Sequence, residues 1–114
     1  MKLRIRGSSL RLRLTKPDVA ALAEGRSVEE VVRFPGAELR YVLGVGGDRL
    51  TAAFDGAAIT VRMPGSSWLA TDEVGISGTD GPTSVLIEKD WACVQPRSDV
   101  EENPAEMFPH PRAT

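Results

Sequence analysis

The start of the chain alternates apolar and basic residues on both sides of a short turn, in the stretch Lys2-Leu3-Arg4-Ile5-Arg6-Gly7-Ser8-Ser9-Leu10-Arg11-Leu12-Arg13-Leu14. Alternation with a period of two is typical of a β-strand with one buried face. Gly7-Ser8-Ser9 has the composition of a turn between two such strands. The stretch therefore predicts a hairpin that turns its apolar side chains to a core and its basic side chains to the opposite face.

A helix is predicted directly after this hairpin. Thr15 is a suitable N-cap, Pro17 fits the first turn of a helix, and Asp18 favours its positive end. Val19 and Leu22 recur at helical spacing, and Gly25 ends the helix.

Further strands follow, separated by turn residues such as Pro35-Gly36 and Asp55-Gly56. Strands are predicted over Val28–Phe34, Glu38–Val45, Arg49–Phe54, Ala58–Met63, Val74–Ser77 and Ser84–Lys89, with one or two helical turns over Trp68–Thr71. The order hairpin, helix, hairpin thus occurs twice, with a glycine-rich joint at positions 44–47. This internal pseudo-repeat predicts an α+β fold, mainly β, built as a small antiparallel barrel or as two packed sheets.

Length and composition limit the class of protein. With 114 residues, 41% of them hydrophobic and 26% charged, the chain suits one globular domain. We predict a single β-rich domain over residues 1–94 and an acidic, proline-rich tail over residues 95–114. A net charge of −2 does not favour a general nucleic-acid binder, and no apolar run is long enough for a membrane span. The single cysteine and an N-terminus unlike a signal peptide predict a cytoplasmic location.

Two motifs resemble a family of small bacterial proteins without an assigned function. They are the opening Met1-Lys2-Leu3-Arg4-Ile5-Arg6-Gly7, continuing to Leu14-Thr15, and the closing Glu88-Lys89-Asp90-Trp91-Ala92-Cys93. One motif opens the domain and the other closes it, so the resemblance covers most of the chain. It implies a single-domain bacterial cytosolic protein, and it implies no activity, ligand or catalytic residue.

The basic residues of the hairpin are the main functional candidate. Together with Lys2, the candidate binding residues are Arg4, Arg6, Arg11 and Arg13, and no acidic residue precedes Asp18. Guanidinium groups bind phosphates and carboxylates through paired hydrogen bonds, so these residues predict a site for an anion. The alternative is that carboxylates of the same chain pair with them, with Glu38, Glu88, Asp90 and the acidic tail available.

Catalytic and metal chemistry have weaker candidates. Cys93 and His110 are the only residues of their types, and a zinc site would need carboxylates such as Asp90, Glu101 or Glu102 as further ligands. Glu88 and Asp90 share a face of an extended strand, which suits acid–base work, but no nucleophile can be placed beside them. We therefore assign no catalytic residue, metal or cofactor, and we interpret Trp68 and Trp91 as core side chains.

The sequence as a whole favours a small non-enzymatic binding protein. Its predicted partner is an anionic small molecule or an acidic protein surface, engaged by the basic hairpin; a membrane or nucleic-acid partner is not predicted. One alternative is an enzyme of unknown reaction that uses Cys93 or the Glu88/Asp90 pair. Another is self-association, in which acidic residues between Asp99 and Glu106 of one copy dock on the basic hairpin of a second copy.

Overall fold

The computed structural model describes residues 1–90 of the chain, which form eight β-strands, one α-helix and one short 3-10 helix. In chain order they are β1 (Lys2–Arg6), β2 (Ser9–Leu14), α1 (Lys16–Ala23), β3 (Val28–Phe34), β4 (Ala37–Val45), β5 (Thr51–Phe54), β6 (Ala58–Met63), the 3-10 helix (Ser67–Ala70), β7 (Gly75–Asp80) and β8 (Thr83–Lys89). The predicted strands are all present with small shifts at their ends. The proposed domain end at residue 94 and the tail lie outside the described residues.

The strands form two four-stranded sheets that pack face to face. The first sheet has the order β1-β2-β8-β7, and the second has the order β3-β4-β6-β5. The mainly β, two-sheet alternative is therefore confirmed, and residues 1–90 do not close into a barrel. Each sheet combines one hairpin from the first half of the chain with one hairpin from the second half.

The two central strands of each sheet run parallel, while the other pairings are antiparallel. β2 pairs with β8 in parallel, and so does β4 with β6. The cause is the path of the chain: α1 and the 3-10 helix carry it from one sheet to the other. A later hairpin then completes each sheet, and its second strand pairs with the second strand of the earlier hairpin. Both of these strands start at a hairpin turn, so they run in the same direction.

This topology places the four hairpin turns at one end of the molecule, which we call the turn end. The backbone N–H of Ser84 donates to the carbonyl of Ser8 at 2.9 Å, and that of Arg40 donates to Ala57 at 3.0 Å. These bonds hold the neighbouring turns of each sheet side by side. The opposite end, which we call the helix end, carries α1 packed against the 3-10 helix.

The core lies between the inner faces of the sheets and under α1. Its most deeply buried side chains are Leu12, Leu14, Leu22, Leu43, Val61, Met63 and Ile87. Burying each such side chain contributes roughly 1.5–3 kcal/mol. Trp68 and Leu69 of the 3-10 helix extend the core to the helix end, so Trp68 is a core side chain as predicted.

The start of α1 confirms the predicted cap and adds an unforeseen ion pair. The Thr15 hydroxyl accepts from the Asp18 backbone N–H, and the Asp18 carboxylate accepts from the Thr15 backbone, which makes a reciprocal capping box. The same carboxylate lies 2.8 Å from the buried Met1 amine, and Glu30 lies 3.1 Å from it. Burial alone would lower the pKa of this amine, but the two carboxylates outweigh burial and raise its pKa.

Candidate anion-binding face

The strand register gathers the predicted basic residues on one face of the first sheet. Lys2 lies opposite Arg13, Arg4 lies opposite Arg11, and Arg6 lies opposite Ser9. Directly paired residues share a face of a sheet, so all five cations point the same way. The residues between them, such as Leu3 and Leu12, point to the core. We call the surface formed by Lys2, Arg4, Arg6, Arg11 and Arg13 the basic face.

The neighbouring strand supplies one carboxylate to this face. β8 places Glu88 beside Arg13, and within residues 1–90 it is the single acidic residue on the outer side of the first sheet. The Nε of Arg11 donates to Glu88 Oε2 at 2.6 Å, and the Nε of Arg13 donates to the same oxygen at 3.3 Å. Internal pairing, the alternative raised by the sequence, is thus present for two arginines.

The remaining arginines of the basic face also have interactions. Neither Arg4 nor Arg6 is without a partner, and Arg11 makes a contact beyond its bond to Glu88. Glu38, another carboxylate considered as a partner, lies on the second sheet and pairs with Arg33 at 3.3 Å. The sequence could not choose between Glu38 and Glu88, because the choice depends on which distant strand joins β2.

The basic face carries five positive charges and one negative charge among the described residues. Two like-charged pairs, Lys2 with Arg13 and Arg4 with Arg11, lie directly opposite each other, where repulsion is strongest. The side chains of Arg11 and Arg13 are only 12% and 18% exposed. Between the two strands lies a depression of about 250 Å³, lined by Lys2, Leu3, Arg4, Arg11 and Arg13. An added anion would therefore lower the repulsion on this face.

Of the catalytic and metal candidates, Glu88 and Asp90 lie within the described residues. The arginines engage Glu88, while Asp90 lies at the helix end, where its backbone N–H donates to Leu14 at 2.8 Å. Asp90 lines a separate cavity of about 390 Å³ with Thr15, Lys16 and Lys89 among others. Cys93, His110 and Trp91 lie outside the described residues, and within residues 1–90 no three His, Cys, Asp or Glu side chains cluster as metal ligands.

The sequence matches a protein family over residues 1–112, a span that includes every strand and the whole basic face. The chain belongs to the DUF7009 family. This is a family of unknown function. No curated protein and no solved structure matches the chain. Within its described residues, no helix of this DUF7009 protein is long and apolar enough to cross a membrane.

This DUF7009 protein also has an apolar cleft that the sequence did not reveal. It opens between the sheets at the turn end and measures about 450 Å³. Its lining includes Ile5, Leu10, Leu39, Phe54 and Ile59. Phe54 is 66% exposed and Ile5 is 55% exposed. We call this feature the turn-end cleft. The alternation within each strand predicts that these lining residues point inward. The sequence of a single strand does not reveal that the two sheets lie apart at this end.

Proposed function

We propose that this DUF7009 protein is a small binding module whose basic face binds an extended, carboxylate-rich protein segment. The observation that carries the proposal is the register of β1 and β2, which places five cations on one outer surface with one carboxylate from the described part of the chain beside them. The function of a charged surface of this kind is to select and orient a partner of opposite charge.

The spacing of the cations favours an extended partner over a small anion. Lys2, Arg4 and Arg6 alternate along β1, so neighbouring charges lie about 7 Å apart and the row is about 14 Å long. Side chains on one face of another extended chain repeat at the same distance. A single phosphate would contact two or three of these groups. Within residues 1–90, β1 is also an edge strand of its sheet, and an edge strand can pair with an extended segment.

The contacts that the arginines already make within the chain limit the affinity of this binding. Because Glu88 already accepts from Arg11 and Arg13, a partner adds to an existing charge network instead of meeting bare cations. The affinity is then expected to be modest and to fall as salt screens the exposed charges. A cytoplasmic location is part of the proposal. It is supported by the single cysteine, because one cysteine cannot form the intramolecular disulfides that are common in secreted proteins.

Fluorescence anisotropy with a fluorescein-labelled hexaglutamate peptide tests the proposal. The full-length protein should bind the peptide at low salt, and the double variant Arg4→Ala/Arg6→Ala should weaken binding at least tenfold. Inorganic tripolyphosphate, added as a competitor, distinguishes the two anion sources. Weak competition by tripolyphosphate supports an extended acidic segment as the partner. If tripolyphosphate displaces the peptide at low micromolar concentration, the partner is instead a small polyphosphate.

A matched variant separates the basic face from net charge. Arg26→Ala/Arg33→Ala removes the same charge from exposed arginines, 65% and 78% exposed, that lie elsewhere. This variant should bind hexaglutamate with nearly unchanged affinity. Equal losses in both double variants, or no binding by the parent protein at low salt, would contradict the proposal.

A further inference from the structure

The basic face and the turn-end cleft meet along β1. Arg4 and Arg6 point to the outer face, while Ile5 between them lines the cleft, and Gly7 and Ser8 form its rim. A segment bound along β1 can therefore place acidic side chains on the basic face and an apolar side chain in the cleft, because both features lie along this one strand.

The cleft is suited to inserted side chains more than to a second folded copy. Its volume of about 450 Å³ lies in the range of small-ligand pockets, ~300–1,000 Å³. Two large apolar side chains of its lining are exposed, Ile5 at 55% and Phe54 at 66%. Even a fully buried aromatic side chain contributes only about 150–250 Å². These two side chains therefore offer far less than the ~800 Å² per partner that a stable interface buries.

The chain itself contains a segment with both required properties. Between Asp99 and Phe108 it carries Asp99, Glu101, Glu102 and Glu106, no lysine or arginine, and then the apolar pair Met107-Phe108. We propose that this segment of the same chain is the resident partner of the basic face, with Met107 and Phe108 in the turn-end cleft. The inference rests on the proposed function and names the occupant of that site.

The length of the connecting chain allows this docking. The described residues end at Asp90, at the helix end, and the seven-residue strand β8 spans about 23 Å to the turn end. The eight residues 91–98 can extend over about 27 Å, so Asp99 can reach any point on the basic face. Tethering in one chain gives an effective concentration near the millimolar range, which favours the same chain over a second copy.

The docked segment would regulate the binding module. An external acidic segment must displace residues 99–108, so the resident segment lowers the apparent affinity of the basic face for that partner. Neutralising it with Asp99→Asn/Glu101→Gln/Glu102→Gln/Glu106→Gln should tighten hexaglutamate binding at least fivefold. The charge-matched control Glu24→Gln/Asp48→Asn/Asp72→Asn/Glu73→Gln changes exposed acids elsewhere and should change affinity less than twofold. Equal effects of the two variants would overturn the regulatory role.

Disulfide trapping in the full-length protein tests the docked position. In a Cys93→Ser background, Pro109→Cys is combined with Ser8→Cys at the rim of the cleft. The matched partner is Ser67→Cys, an exposed serine on the 3-10 helix. Lys89 Nζ donates to the carbonyl of Trp68 at 3.3 Å, so position 67 lies close to the start of the connecting chain.

The two positions give opposite results for docked and undocked segments. Docking predicts that the intrachain 8–109 disulfide forms at least tenfold faster than the 67–109 disulfide, and that adding Phe108→Ser removes the difference. An undocked chain would favour position 67, because loop closure is easiest near its anchor. That result, or a disulfide mainly between two chains, would overturn the inference. Loss of hexaglutamate binding in Arg4→Ala/Arg6→Ala would still support the proposed function in that case.

Discussion

Replacing Glu88 with glutamine should weaken the fold and strengthen binding at the same time. The carboxylate accepts from Arg11 and Arg13, and it is the one negative charge among the described residues of the basic face. Glu88→Gln removes the carboxylate that Arg11 and Arg13 share and increases the positive charge available to a partner. A residue with only a structural role would lower stability without improving binding.

The structure sets the size of both effects. The side chains of Arg11, Arg13 and Glu88 are 12%, 18% and 14% exposed. Breaking a buried pair costs roughly 3–5 kcal/mol and an exposed pair below about 1 kcal/mol, so we expect a loss of about 2 kcal/mol. That loss lowers Tm by about 10 °C. Removing one like charge about 6 Å from a bound carboxylate gains about 0.7 kcal/mol in water, a roughly threefold increase in affinity at low salt.

Chemical denaturation and hexaglutamate anisotropy on the same samples measure the two effects. Glu38→Gln is the control, because its partner Arg33 is 78% exposed and the pair should contribute less than about 1 kcal/mol. In the Asp99→Asn/Glu101→Gln/Glu102→Gln/Glu106→Gln background, the resident segment no longer competes with the peptide. Unchanged or weaker hexaglutamate binding by Glu88→Gln in that background would refute the reasoning, since the basic face would then not be the surface that the peptide contacts.

Three further predictions concern the fold that supports this face. Gly75→Ala should lower stability by about 1–3 kcal/mol, because its Cβ would lie 2.6 Å from the Ile87 carbonyl oxygen; a Tm equal to that of the parent would contradict this. Leu43→Ala should lower the free energy of unfolding by about 2–5 kcal/mol, since Leu43 is fully buried, and urea denaturation checks it. Although burial opposes the effect, hydrogen bonds from the Met1 amine and Thr15 lower the pKa of Asp18. Stability gained from Asp18 is present above the unfolded-state pKa of about 3.9 and is lost as pH falls through the lower folded-state pKa. In Asp18→Asn, the free energy of unfolding should therefore fall less steeply at acidic pH than in the parent protein. Chemical denaturation at several pH values measures this, and an equally steep fall would contradict the ion pair.

The local features of this fold could be predicted from the sequence, and its long-range pairing could not. Alternation from Lys2 to Leu14 predicts the hairpin and the side on which its arginines lie, and Thr15 with Asp18 predicts the helix cap. These signals lie within a few residues of each other. The parallel contact of β2 with β8 joins Arg13 to Glu88 across most of the described chain, and no local pattern determines it.

The parts of the site follow the same division. The sequence predicted the five cations of the basic face and included Glu88 among several possible partners. It did not predict the turn-end cleft, because that feature depends on the separation of two sheets and not on any one strand. It also did not predict the Met1 ion pair, because Glu30 reaches the amine only after β3 has joined the second sheet. The internal pseudo-repeat of the chain stays a prediction.

Backbone NMR with a hexaglutamate titration tests the central claim most directly, because it locates the bound peptide residue by residue. Our account predicts that the amide shifts of β1 and β2, together with Glu88 of β8, change first and saturate together. Amides of the second sheet that lie away from the turn-end cleft should stay nearly constant. Changes centred on the second sheet, or small changes spread evenly over both sheets, would contradict the claim that the basic face is the binding surface.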